Sequence, residues 1–324
     1  MQTTLSSLTE CIHPHLLAVE RRFHEELRSD LAPVNTLVKH VSRFRGKMLR
    51  PCLVLLCGKA TGELTDAHVV VATVVEMVHM ATLVHDDVLD EAELRRKGAT
   101  INHLKGNEAA VMLGDYLISH SFHLCSSLQS QMCSREIGRT TNEVCEGELL
   151  QIDNRNNLDL TEETYYDIIG RKTAGLTATC CLLGARLSGA DEAMAKKLDT
   201  FGRALGTAFQ IQDDLLDITG DTATVGKTLG IDAEKGKLTL PMIHFLRTAP
   251  AEHRALMRSL LTDPGHDRIE RLRNLILPSG SLDYARDAAR RLANKARAQL
   301  DNLPDSDAKR ALDVMAEFVV SRAM

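Results

Sequence analysis

VVVATVVEMVHMATLVHDDVLD, residues 69–90, runs from an almost uncharged stretch straight into three aspartates. Its apolar residues recur three and four apart, the spacing of one helix face, while alternating strand patterns are scarce throughout the chain. Val69–Val84, interrupted by Glu76 and His79, falls short of the roughly 20 residues of a membrane span and reads as a buried helix. Charge is expensive at the end of such a helix, so the DDVLD that closes it needs a reason.

A second copy supplies one, because QIQDDLLDI, residues 210–218, repeats the DDxxD on another helical pattern. Residues four apart share a helix face, so Asp86 and Asp90 project together about 6 Å apart along the axis, as do Asp213 and Asp217. Asp87 and Asp214 are turned away by roughly 100° and are expected to support the outer pairs. One DDxxD is often only a solvated acidic turn, but two at the ends of apolar stretches are poorly explained that way. Paired carboxylates repel unless a cation lies between them. Hard oxygen donors of this kind suit Mg2+, which completes its shell with water and substrate phosphates, so the clusters predict a phosphate-bearing ligand.

Working outward, helical spacing extends over His15–Leu27, Ala109–Leu124, Thr164–Leu187, Leu198–Leu216 and Ala285–Leu300. Punctuation falls at Pro51, at Gly58 to Gly62, at DNRNNLD (153–159) before a capping TEE, and at DITGD after Asp217. The expectation is an all-α fold of ten or more helices in a single domain, residues 1–324, with LPSGS (277–281) setting off a C-terminal helical hairpin. No repeat and no low-complexity linker is visible. The 324 residues are 44% hydrophobic and 26% charged, which excludes disorder. With 39 basic against 44 acidic residues and no basic stripe interleaved with aromatics, nucleic acid has no support as a partner. Eight cysteines without a CxxC pair, and a start lacking a secretory pattern, suggest the reducing cytoplasm.

Cations group around the acidic motifs. RGKMLRP (45–51) places Lys47 and Arg50 at the start of a helix, where backbone amides also favour anions. Arg95, Arg96 and Lys97 follow the first motif, Lys172 and Thr173 sit in GRKTAG, and GKTLGIDAEKGKLTLP contributes Lys227 and Lys237. Singly each is an ordinary surface cation; together they favour a bound diphosphate.

These elements, in this order, resemble the trans-isoprenyl diphosphate synthases, or polyprenyl synthetases, across almost the whole chain. That family runs GKxLRP, DDxxD followed by RR, a KT pair, FQxxDD within a second DDxxD, then GKxxG and GKxTLP. The resemblance implies an isoprenoid-synthase-like helical bundle around a central cavity, working as a homodimer. It implies that Asp86, Asp90 and Asp213, with Asp217 beside them, hold Mg2+, three ions per active site. Arg95, Lys172, Thr173, Gln210, Lys227 and Lys237 would grip the allylic diphosphate. Lys47, Arg50, His79 and Arg96 would hold that of isopentenyl diphosphate. Asp86, Asp90, Lys172 and Asp213 would carry the catalysis. His79 lies seven residues before Asp86 on the same face, whereas His85 is turned toward the core. Departures are RRKG for the usual RRGK, Met48 where arginine is common, and Thr228 for a frequent proline.

The implied reaction ionises the allylic C1–O bond, adds isopentenyl diphosphate to the cation and loses a proton, lengthening the chain by one isoprene unit. A class I terpene cyclase or head-to-head synthase would not need Lys47, Arg50 and Arg96. A metal-dependent phosphohydrolase built on His85, Asp86 and His68 leaves the second motif idle, and a catalytically silent synthase subunit does not need intact aspartates. One helical turn, about 5.4 Å, is close to one isoprene unit, so side chains before Asp86 act as depth marks. In the family, an aromatic residue four or five positions before the first aspartate stops growth early. Those positions hold Thr82 and Ala81, followed by Val78 and Val75, and no aromatic residue occurs from Leu53 to Lys105. The expectation is an all-trans product of about 25 carbons or more, such as a quinone side-chain precursor, rather than farnesyl or geranylgeranyl diphosphate.

Overall fold

The computed structural model describes residues 9–43, 46, 48–95, 98–220, 230–262, 265 and 267–321. Lys47, Arg96, Lys97, Lys227 and Thr228 lie outside the described residues. The fold is all-α. In chain order the helices are α1 (His13–Glu26), α2 (Ala32–Ser42), α3 (Leu49–Thr61), α4 (Asp66–Leu89), α5 (Ile101–Lys105), α6 (Asn107–Ser126) and α7 (Gln131–Asp153). They continue with α8 (Glu162–Ile169), α9 (Gly175–Leu187), α10 (Glu192–Thr219), α11 (Ile231–Glu234), α12 (Leu240–Thr248) and α13 (Ala251–Thr262). The last are α14 (Arg268–Ile276), α15 (Ser281–Ala298) and α16 (Asp307–Ser321). A short antiparallel pair, β1 (Leu94–Arg95) with β2 (Gly98–Ala99), follows α4.

The chain divides into two compact units, one of residues 1–141, 177–200 and 300–315 and the other of 142–176, 201–299 and 316–324. In the first, α4 packs most extensively on α6, then on α3 and α1. Burial of Val69–Val78 on every side explains why this stretch reads as uniformly apolar rather than striped. The helix is longer than the apolar run suggested: at 24 residues it has the length and composition to cross a bilayer, yet its apolar window is 78% buried inside the protein. His68 locks its start, accepting the Thr65 N–H at Nδ1 (3.0 Å) and donating from Nε2 to the Gly184 carbonyl (3.1 Å). That fully buried ring is structural, which removes it from the phosphohydrolase reading. Pro51 sits in the first turn of α3, where a missing N–H costs no helical bond.

The second unit closes around Ile211, Leu215, Phe245, Met257, Ile276 and Ala289. Thr161 caps α8 by accepting the Thr164 N–H at 3.1 Å, as the TEE pattern predicts. Gly280, at φ 74°, makes the turn between α14 and α15 that LPSGS foretold. The periodic stretch Thr164–Leu187 is not one regular helix: Gly170–Ala174 forms a π turn between α8 and α9.

Candidate active site

The first acidic motif lies on the last turn of α4. The helix stops there because Glu91 adopts the left-handed conformation (φ 49°), while the Ala92 N–H donates to the Asp87 carbonyl (2.9 Å) and the Glu91 N–H to the Val88 carbonyl (3.2 Å). A non-glycine residue at positive φ costs roughly 1–2 kcal/mol, so the stop is imposed by its surroundings. Asp86 and Asp90 remain partly exposed, whereas Asp87 is only 5% exposed. Arg95 grips both oxygens of Asp87, Nε at 2.9 and 3.0 Å and a terminal nitrogen at 2.7 Å, tying β1 to the helix. Arg95, expected on the diphosphate, is thus held by the inner aspartate.

His85 points toward α6, with Nε2 donating to the Val111 carbonyl at 3.2 Å and facing Asp115 at 3.5 Å. His79 is half-buried two turns back, its carbonyl accepting the Thr82 hydroxyl at 2.8 Å. Arg50 is at the second position of α3, after Met48, which is buried and left-handed (φ 49°).

The second motif repeats the arrangement at the C-terminal end of α10. Asp213 and Asp217 are partly exposed and Asp214 is 5% exposed. Asp217 accepts the N–H groups of Ile231 (3.3 Å) and Asp232 (3.2 Å) at the start of α11. Burial and the Asp232 carboxylate nevertheless raise its pKa to about 6. Asp214 accepts from the Tyr165 hydroxyl (2.6 Å) and the Gln210 amide (2.8 Å); burial, then Asp232, push it up to about 8.

Both outer pairs therefore sit where the helix dipole is negative, a position that disfavours carboxylates and favours cations by about 0.3–1 kcal/mol each. Burial and the nearby Asp232 carboxylate, which raise the Asp217 pKa, are both offset by a divalent ion, so the donor set fits one. Among the described residues, no three histidine, cysteine, aspartate or glutamate side chains group closely enough to hold a metal by themselves. Pairs of carboxylates suit an ion that shares its shell with water and phosphate.

Lys172, Thr173, Gln210 and Lys237 line one cleft of the second unit, together with Gln151 and Asp214. The π turn presents Lys172 and Thr173; its Gly175 N–H reaches back five residues to the Gly170 carbonyl. Gly147 of α7 lets it approach, since a Cβ there would lie 2.6 Å from the Lys172 nitrogen. Lys172 donates to Gln151 Oε1 at 2.9 Å and pairs with Glu148, while the Thr173 hydroxyl donates to Gln210 Oε1 at 2.9 Å.

Sequence reasoning missed Glu148, Gln151, Tyr165, Asp232 and Thr239. Thr239, buried before α12, lines the same cleft, and its hydroxyl has no hydrogen-bond partner among the described residues. The signal for Glu148 and Gln151 was present, a glutamate and a glutamine three apart directly after Gly147 in GELLQ.

Comparison with known proteins agrees with this architecture. Residues 32–276 match the polyprenyl synthetase family. The chain is 36% identical over 319 residues to octaprenyl diphosphate synthase of Escherichia coli (strain K12), covering 98% of this chain and 99% of that one. Its fold is similar to a decaprenyl diphosphate synthase from Rhodobacter capsulatus, with a TM-score of 0.94, 34% identity, and 99% and 100% of the two chains covered. It is equally similar to a polyprenyl synthase from Caulobacter crescentus CB15 complexed with calcium and isoprenyl diphosphate, with a TM-score of 0.93, 34% identity, and 100% and 99% covered. Two acidic motifs on helix ends, a cationic cleft beside one of them, and full-length likeness to these enzymes lead to one conclusion: the chain belongs to the polyprenyl synthetase family, whose members are prenyltransferases.

Proposed function

We propose that this protein condenses isopentenyl diphosphate with an allylic prenyl diphosphate and repeats the step to an all-trans product of about 25 carbons or more. The observation that carries the reading is the duplicated DDxxD, each copy at the C-terminal end of a long helix with its outer pair partly exposed and its inner aspartate buried. Asp86, Asp90, Asp213 and Asp217 would hold Mg2+, three ions per active site. Bound there, Mg2+ would neutralise charge gathering on the departing pyrophosphate. The Caulobacter complex with calcium and isoprenyl diphosphate supports a divalent ion and that ligand class.

Lys172, Thr173, Gln210 and Lys237, which share a cleft, orient the allylic diphosphate in this reading, with Lys227 added and Arg95 acting through Asp87. Arg50, His79, Lys47 and Arg96 hold isopentenyl diphosphate. Apolar walls exclude water that would quench the allylic cation. Thr82 and Ala81 stand where an aromatic residue would end growth early, and no aromatic residue occurs from Leu53 to Lys105, which supports a path for the growing chain. Octaprenyl and decaprenyl products of the relatives point the same way. We read residues 1–324 as one catalytic domain, acting in the cytoplasm as a homodimer; exposed Val111, Met112 and Phe122 on α6 support a partner surface.

Mass spectrometry of products formed from isopentenyl diphosphate and starters of two, three and four isoprene units tests the proposal. Products growing past 20 carbons with each accepted starter support it. A wild-type enzyme that stops at farnesyl diphosphate with isopentenyl diphosphate in excess refutes the long-chain reading, and absence of turnover by the purified chain refutes self-sufficient catalysis.

A further inference from the structure

Tyr165 lies in none of the motifs that identify the chain, yet it ends a chain of hydrogen bonds that begins in the cationic cleft. The Thr173 hydroxyl donates to Gln210 Oε1 at 2.9 Å, the Gln210 amide donates to Asp214 Oδ1 at 2.8 Å, and the Tyr165 hydroxyl donates to Asp214 Oδ2 at 2.6 Å. Each link restricts the next. With both faces of its amide engaged, Gln210 has one orientation, and with a donor on each oxygen, Asp214 has one rotamer. Tyr165 itself is 3% exposed on α8 and packs edge-on against Tyr166 with ring centroids 5.5 Å apart. It is therefore a fixed post rather than a mobile side chain.

The chain joins three elements: α8 through Tyr165, α10 through Asp214 and Gln210, and the π turn through Thr173. The π turn also carries Lys172, which is steered from the other side by Glu148 and Gln151 of α7. A backbone that departs from regular helix needs such external bracing, because its internal ladder is incomplete. We propose that Tyr165 is a positioning residue for the allylic diphosphate, acting through Asp214 and Gln210 to hold Thr173 and the π turn in register with α10. It borders the same cleft, but at 3% exposure and with its hydroxyl spent on Asp214 it acts through its neighbours. The proposal rests on the assignment of Lys172, Thr173 and Gln210 to the allylic substrate.

The test is a kinetic double-mutant cycle on the full-length enzyme with Mg2+, using Tyr165→Phe, Gln210→Ala and the pair. Removing one buried hydroxyl and leaving an Asp214 oxygen unpaired should raise KM for the allylic diphosphate about tenfold, while KM for isopentenyl diphosphate moves less than about twofold. In the Gln210→Ala background, Tyr165→Phe should add nothing further to the allylic KM, since the connection is already cut. Equal changes in both Michaelis constants, or multiplicative effects in the cycle, would overturn the proposal by showing that Tyr165 serves the fold alone. Should Tyr165→Phe fail to fold, Asp214→Asn, nearly isosteric, must reproduce the allylic-specific rise, and a failure to do so overturns it equally. Lys172→Ala separates this failure from a deeper one: if that variant leaves the allylic KM unchanged, the site assignment itself is wrong.

Discussion

Gly147→Ala places a single methyl group between α7 and the π turn. The new Cβ would lie 2.6 Å from the Lys172 nitrogen, 2.8 Å from the Arg171 Cβ and 3.1 Å from the Lys172 Cα, where ordinary contact begins at 3.4 Å. These are backbone-anchored atoms, so no side chain can swing away, and the two elements must separate by about 0.8 Å. Alanine is the better helix former by about 1 kcal/mol, against an overpacking cost of about 1–3 kcal/mol. The net loss of stability is therefore small, about 0–2 kcal/mol, or a few degrees in Tm. Activity is the more sensitive quantity, because misplacing a positioning group by about 1 Å costs on the order of a hundredfold. The expected signature is a fall in kcat/KM for the allylic diphosphate of about 30- to 100-fold with a nearly normal melting curve. Gly138→Ala, elsewhere on α7, is the control: its Cβ would meet only Phe122, at 3.8 Å, so it should gain stability with unchanged kinetics. Wild-type kinetics in folded Gly147→Ala would refute the reasoning.

Asp86→Ala or Asp213→Ala should each lower Mg2+-dependent turnover by about a hundredfold or more with the fold intact, read by kcat and circular dichroism. Arg50→Ala should raise KM for isopentenyl diphosphate more than for the allylic substrate, each lost contact being worth about 1.5–3 kcal/mol, and Lys172→Ala should do the reverse. Ala81→Phe should shorten the product to about three or four isoprene units while sparing the first condensation, as chromatography of the products would show. In metal-free protein Asp214 titrates near 8 against about 4 when unfolded. The folded state then holds more protons between those values, so stability is lost as pH rises from about 4 to about 8, and Asp214→Asn should flatten that slope in thermal melts.

The sequence spoke most clearly where a residue's role depends on its own helix. The apolar run before Asp86 and the i, i+4 spacing of Asp213 and Asp217 are local facts, and a 3.6-residue period turns them directly into faces. The inward turn of Asp87 and Asp214 was readable for the same reason. What stayed hidden were partners distant in the chain: Tyr165 and Asp214 are 49 residues apart, Lys172 and Gln151 are 21 apart, and only packing joins them. The π turn was invisible because nothing in GRKTA sets it apart from ordinary helix, and the close approach of its backbone to Gly147 joins distant parts of the chain. Arg95 was placed with the right motif, but its grip on Asp87 was not foreseen, since a spacing of eight residues across a helix stop reveals proximity without direction.

A π turn is an α-helix carrying one residue too many. Removing any one residue from Gly170–Ala174 restores regular helical winding, and because the turn absorbs its extra residue locally, the change falls on the turn itself, where Lys172 and Thr173 are no longer presented together. Point substitutions can exchange Lys172 or Thr173, but only an insertion can create the winding that presents them side by side. For directed evolution this divides the accessible space. Libraries of substitutions can tune affinity at this cleft, whereas single-codon deletions through Gly170–Ala174 should abolish it wholesale while leaving a foldable helix, a sharp boundary in sequence that no gradual series of replacements crosses.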